Sequence, residues 1–237
     1  MCGIVGYVGE NSASPILIDG LKKLEYRGYD SAGIAVSENG KTDVVKTKGR
    51  IKNLEEKLEE VGGLSGTVGI GHTRWATHGA PTDVNAHPHK GGNGRITLVH
   101  NGIIENYIEL KTMLQKGGYV FVSETDTEVL AHLFDYYYKG DLLDAMVNVM
   151  KTVRGSYAVA ILADDKPGTI IAARKDSPLI VGLGDGENFL ASDIPAVLKY
   201  TRDCYLLEDN QIAVLTKDNV TLYDTDKNVV KKDVYHV

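Results

Sequence analysis

Eleven short apolar stretches, most of them β-branched and set off by glycines, run the length of this 237-residue chain, and their spacing restricts the fold more than any other feature. They are Ile4–Val8, Gly33–Val36, Val44–Lys48, Val68–His72, Ile96–His100, Tyr157–Ala163, Thr169–Arg174, Leu179–Leu183, Phe189–Ala191, Gln211–Thr216 and Val220–Tyr223. With 26 glycines against 6 prolines, the chain reads as sheet-rich with many turns. Amphipathic helix patterns lie between the strands. After Ser14-Pro15, Leu17, Leu21 and Leu24 recur at helical spacing until Arg27-Gly28. Ile51–Val61 and Glu105–Gln115 are similar, the latter stopped by Gly117-Gly118. Thr125-Asp126-Thr127-Glu128 has the form of a capping box ahead of Val129, Leu130, Leu133, Phe134 and Tyr137, and Leu142–Thr152 is a further helix. A helix with one apolar stripe must cover a sheet face, so the pattern predicts an α+β sandwich with its helices outside, and leaves the strand order open.

The net charge of -6 comes from 26 basic and 32 acidic residues spread without blocks, which leaves no footprint for nucleic acid or an anionic membrane. The apolar runs are too short to span a bilayer, and the N-terminus lacks the basic start and long apolar stretch of an export signal. A single cytoplasmic domain over residues 2–237 is expected. In that compartment the two cysteines, Cys2 and Cys204, are not expected to form a structural disulfide. Cys204, within TRDCYLLED, alternates with apolar neighbours as a half-buried strand residue would. Cys2 differs, because a chain terminus is usually frayed and a buried structural cysteine gains nothing there.

Four stretches carry more polar detail than a core requires: Cys2-Gly3, YRGYDSAG, GHTRWATHG with NAHPH, and HNG. Each ends or follows a predicted strand, so they are expected to converge on one sheet edge. If Met1 is removed, Cys2 carries both a thiol and a free α-amine, and an amine with a pKa of about 8 can take the proton of a thiol near 8.5. Asn101 and the backbone N–H of Gly102 can donate to a developing oxyanion, although Asn-Gly alone is a turn signal. Arg74 can bind a carboxylate bidentately; by itself it would read as a surface arginine stacked on Trp75. Asp126 reads as a carboxylate at a helix N-terminus or as a partner for an ammonium. His72, His78, His87 and His89 fall close together among the seven histidines, which raises a metal site. Pro88 within HPH fits a turn better than a chelating strand or helix, and no HExxH or paired cysteines accompany it, so loop histidines are the preferred reading. An inactive regulatory module that keeps Met1 is the other alternative.

Taken together, MCGIVGYVG, LEYRGYDSAGIA, GHTRWATHG, NAHPH, HNGIIENY and ETDTE resemble, in order, the motifs of the N-terminal-nucleophile glutamine amidotransferases. The likeness is strongest to the glutaminase domains of the glutamine–fructose-6-phosphate aminotransferase family. RGYDS in place of RGQES, and RWATHG in place of RYSTAG, separate the chain from the purine-pathway branch. The resemblance implies a four-layer αββα sandwich, L-glutamine as substrate, and neither metal nor organic cofactor. It implies Cys2 as nucleophile with its own α-amine as base, Asn101 and Gly102 as oxyanion hole, and Arg27 and Gly28 beside the nucleophile. Arg74 would hold the α-carboxylate and Asp126 the α-ammonium of glutamine; Thr77 and His78 would line the pocket, Trp75 would belong to a loop closing over it, and His87 would lie nearby. In full-length members, ammonia passes to a C-terminal sugar-phosphate isomerase domain acting on fructose 6-phosphate, commonly within a homo-oligomer. That second domain is expected to be absent here.

Overall fold

The computed structural model describes residues 1–237. In chain order the elements are β1 (Gly3–Val8), α1 (Ala13–Leu24), β2 (Ser31–Glu38), β3 (Lys41–Lys48), α2 (Ile51–Glu60), β4 (Val68–Arg74), β5 (His89–Gly91) and β6 (Ile96–Ile104). Then follow α3 (Tyr107–Lys116), α4 (Asp126–Tyr137), α5 (Leu142–Thr152), β7 (Gly155–Ala163), β8 (Ile170–Lys175), β9 (Ile180–Leu183) and β10 (Asn188–Ala191). The chain finishes with β11 (Asp203–Leu206), β12 (Ile212–Leu215), β13 (Val220–Tyr223), β14 (Val229–Val230) and β15 (Tyr235–His236). All eleven anticipated strands form, mostly a residue or more longer or shorter at one end. The short β5 lies where the HPH sequence had suggested a turn: a cis His87–Pro88 peptide leads directly into it.

Two antiparallel sheets result. One has the order β15-β11-β9-β10-β1-β4-β2-β3, the other β14-β13-β12-β8-β7-β6-β5. Strand alternation divides the apolar residues among three buried layers. In β7, Tyr157, Val159 and Ile161 pack with Phe134 and Met146 of α4 and α5, whereas Ala158, Ala160 and Leu162 face the other sheet. Val5 and Tyr7 of β1 meet Leu17 and Leu21 of α1, whereas Ile4 and Val8 point between the sheets. Small residues such as Ala35, Ala158, Ala160, Ala172 and Ala213 let the two sheets approach closely. The architecture is therefore the αββα sandwich. Cys204 is fully buried in the layer under α1 and α2, not half-buried as its alternation suggested, because β9 and β15 flank its strand on both sides.

Two lysines join the free edges of the sheets. Lys46 of β3 donates to the carbonyls of Ala86 (2.8 Å) and Pro88 (3.0 Å), and Lys90 of β5 donates to that of Thr42 (2.7 Å). These bonds cap exposed edges that would otherwise pair with another strand, and they fix the segment carrying His87. No helix is long and apolar enough to cross a membrane.

Candidate active site

The four polar stretches do converge, but not on a sheet edge. Cys2 precedes β1, which lies inside its sheet between β10 and β4. Pairing of Gly3 with Thr73 brings Cys2 opposite the end of β4, where Arg74 and Trp75 leave the strand. From the second sheet, β6 supplies His100, Asn101 and Gly102, and the N-terminus of α4 supplies Asp126. The site lies across the gap between the sheets, where Cys2 and the end of β4 meet residues from within β6 and the start of α4.

Cys2 Sγ accepts a hydrogen bond from the Trp75 N–H at 3.2 Å and lies 3.5 Å from the Trp75 carbonyl oxygen. Burial pushes the thiol up from its ordinary pKa; the Trp75 N–H, the chain's terminal ammonium and the Arg74 guanidinium oppose that shift by favouring the thiolate. Gly28 packs against this same peptide, and a Cβ there would lie 2.8 Å from the Arg74 carbonyl carbon and 2.9 Å from the Trp75 nitrogen. Asp30 accepts from the Ala76 N–H at 2.9 Å and so fixes the turn after Trp75.

Two compartments meet at Cys2, Trp75, Thr77 and Gly102. The inner one is also lined by Arg74, His78, His87, His100, Thr125, Asp126 and Thr127. The outer one is bounded by Met1, Arg27, Asn101, Ile103, Ser156, Ser177 and Pro178. Every residue anticipated from the sequence except Gly28 lines one of these compartments.

Arg74 is 3% exposed, which rules out a surface arginine lying on Trp75. Its guanidinium donates to the carbonyls of His78, Gly79 and Ala80 and organises the loop that forms the pocket wall. Trp75 is 46% exposed and meets the Tyr29 ring edge-on at 5.5 Å instead. One Asp126 carboxylate oxygen accepts from the Ile104 N–H at 2.9 Å, which ties α4 to β6. Thr125 caps α4 as its sequence implied, accepting from the Glu128 N–H. Glu128 does not close the box on Thr125; it reaches back to the N–H groups of Val122 and Ser123. Burial would raise its pKa, but hydrogen bonds from His132 and those backbone donors hold it at about 2.

The clustered histidines are mostly interior residues rather than loop residues. His72 and His87 stack in parallel, ring centroids 3.9 Å apart, and desolvation lowers the pKa of His72 to about 3 and that of His87 well below its ordinary value. His89 is likewise desolvated and contacts the Thr125 hydroxyl at 3.2 Å. The His100 N–H donates to His87 Nδ1, so His87 carries its proton on Nε2, which faces Thr127 Oγ1 at 3.4 Å. The Thr127 hydroxyl in turn meets His100 Nδ1 at 2.9 Å. No group of three or more His, Cys, Asp or Glu side chains is arranged to hold a metal ion.

Gly102 has φ +120°, and a Cβ there would lie 2.2 Å from the Ser156 carbonyl oxygen. This glycine is required by both conformation and space. Arg27 donates to the Ser192 carbonyl at 3.2 Å, lies 3.5 Å from the Asp193 carboxylate and approaches Met1 Sδ at 3.2 Å. Tyr26 also donates to Asp193, at 2.7 Å. Ser192 and Asp193 carried no local signal, because they lie 165 residues or more beyond Arg27 in the chain. Asp30 and Thr127 stood inside quoted motifs, but only the fold shows what they hold.

A family model of the glutamine amidotransferase domain matches residues 72–199, more than half of the chain. The chain belongs to that family. Over all 237 residues this amidotransferase domain is 60% identical to the glutamine–fructose-6-phosphate aminotransferases (isomerizing) of Clostridium tetani and of Clostridium perfringens, and it spans 39% of the length of each. Its fold superimposes with a TM-score of 0.81 on the glutamine phosphoribosylpyrophosphate amidotransferase of B. subtilis, solved with ADP and GMP. That match is at 28% identity and covers 96% of this chain and 50% of that one.

Proposed function

We propose that this amidotransferase domain hydrolyses L-glutamine to L-glutamate and ammonia through a γ-glutamyl thioester on Cys2. One observation carries the reading: a thiol stands where the two compartments meet, with Arg74 and Asp126 in the inner compartment and Asn101 in the outer. Those opposite charges match the α-carboxylate and α-ammonium of an amino acid. With its α-end held there, the carboxamide of glutamine would be directed toward Cys2, which lines the same compartment. Thr77, His78 and His87 line the same compartment.

In the reaction the thiolate attacks the carboxamide carbon, a C–S bond forms and the carbonyl electrons move onto oxygen. Asn101 and the Gly102 N–H stabilise that oxyanion. The α-amine of Cys2 takes the thiol proton and delivers it to the leaving nitrogen, which departs as ammonia; water then cleaves the thioester. While Met1 is attached, the Cys2 nitrogen is an amide and cannot serve as base. Met1 is 79% exposed, which leaves it open to an aminopeptidase.

The family relatives point to the use of the ammonia. The domain, residues 2–237, would supply nitrogen to a sugar-phosphate isomerase unit that aminates fructose 6-phosphate, in a cytoplasmic homo-oligomer where the Cys2 thiol stays reduced. The test is glutamate and ammonia release from L-glutamine by three forms whose N-termini are established by intact mass. The processed chain turns over; Cys2→Ala and a Met1-retaining form do not. Full activity in the Met1-retaining form would overturn the assignment of the α-amine, and activity in Cys2→Ala would overturn the nucleophile.

A further inference from the structure

We infer that His72 is a positioning residue that sets which face of the Asn101 amide meets the substrate, an inference that rests on the glutaminase reading. His72 Nε2 lies 2.9 Å from Asn101 Oδ1 and 3.1 Å from the His100 carbonyl oxygen. Both are acceptors in this arrangement, so Nε2 carries the proton and donates to the two of them. On its other side, Asn101 Nδ2 donates to the Cys2 carbonyl at 3.0 Å. Turned by 180°, the amide would set its oxygen against the Cys2 carbonyl and its NH₂ against the His72 N–H. The observed orientation is therefore fixed from both ends. It leaves the second Nδ2–H for an oxygen at the Cys2 thiol, the position an oxyanion hole needs.

His72 is built for this single role. The ring is fully buried, its Nδ1 has no hydrogen-bond partner, and His87 stacked on it at 3.9 Å prevents it from turning. It lines neither compartment and does not touch the substrate space. Its effect on turnover passes through Asn101, because a preorganised donor is worth most when its own orientation costs nothing during the reaction.

Kinetics on the processed chain separate this from a merely structural histidine. His72→Phe keeps a stacking ring and loses the donor; His72→Gln loses the ring and keeps an N–H₂ group near the Nε2 position. His72→Phe is expected to lower kcat about ten- to a hundredfold with the KM for glutamine within about twofold, less than the roughly 10²–10³ expected for Asn101→Ala. His72→Gln should recover most of that loss. The double variant His72→Phe/Asn101→Ala should turn over no more slowly than Asn101→Ala alone. If His72→Phe fails to fold, His72→Leu takes its place in the same cycle. Multiplying losses, an unchanged kcat in the donor-less variant, or equal damage from His72→Gln would overturn the inference while the glutaminase reading stands. If Asn101→Ala itself keeps kcat, the oxyanion assignment fails and the inference falls with it.

Discussion

Acid should unfold this domain through the histidines at its centre. His72, His87 and His89 are held neutral by burial, His72 with a pKa of about 3 and the other two well below the ordinary value of 6.5. In the unfolded chain each titrates near 6.5. The unfolded state therefore binds more protons, so stability is complete above about pH 6.5 and is lost as pH falls below it, until the folded values are reached. At pH 5 an unfolded histidine is almost fully protonated and folded His72 is not, a difference of about 2 kcal/mol for that residue, with His87 and His89 acting in the same direction. A domain's whole stability is about 5–15 kcal/mol, so His72 alone removes an appreciable share of it and the other two add to that loss. Glu128 adds little at pH 5: with a folded pKa of about 2, the stability it contributes is lost mainly as pH falls below its unfolded value near 4.5. The measurement is urea unfolding at pH 8, 6.5 and 5, with calorimetric proton uptake on unfolding at pH 5. More than one proton should be taken up, and the urea midpoint should fall between pH 6.5 and 5. A midpoint independent of pH over that range, or uptake below one proton, would refute the reasoning.

Ground-state recognition and transition-state stabilisation should separate in kinetics. Asp126→Ala and Arg74→Ala chiefly raise KM for glutamine, the latter with added loss of order because three carbonyls of the 78–80 loop lose their donor, whereas Asn101→Ala chiefly lowers kcat by about 10²–10³. A lowered affinity with intact kcat in Asn101→Ala contradicts that division. Gly102→Ala should cost at least about 2 kcal/mol and abolish turnover, since its Cβ would collide with the Ser156 carbonyl at a positive φ. Thermal unfolding checks the first expectation, and a wild-type melting temperature would count against it.

Eleven strands and all five helices were legible from the chain alone, because alternation and helical spacing are local properties that need no knowledge of partners. It also singled out Cys2, since a cysteine behind the initiator methionine has no structural use there, and it ordered the motifs that mark the glutamine amidotransferase family. It missed β5, where Pro88 within HPH looked like a turn, because only pairing of His89 with Leu98 makes that segment a strand. Only the packed chain shows what the histidines contact. His72 and Asn101 are 29 residues apart on strands of different sheets, and no local pattern records that stacking the sheets puts one ring nitrogen against one amide oxygen. The same holds for Arg27 with Asp193 and for Lys46 with the Ala86 and Pro88 carbonyls. Local sequence sets which face of a strand is apolar; the polar contacts that orient a reactive group depend on register and inter-sheet distance, which exist only once the chain has packed.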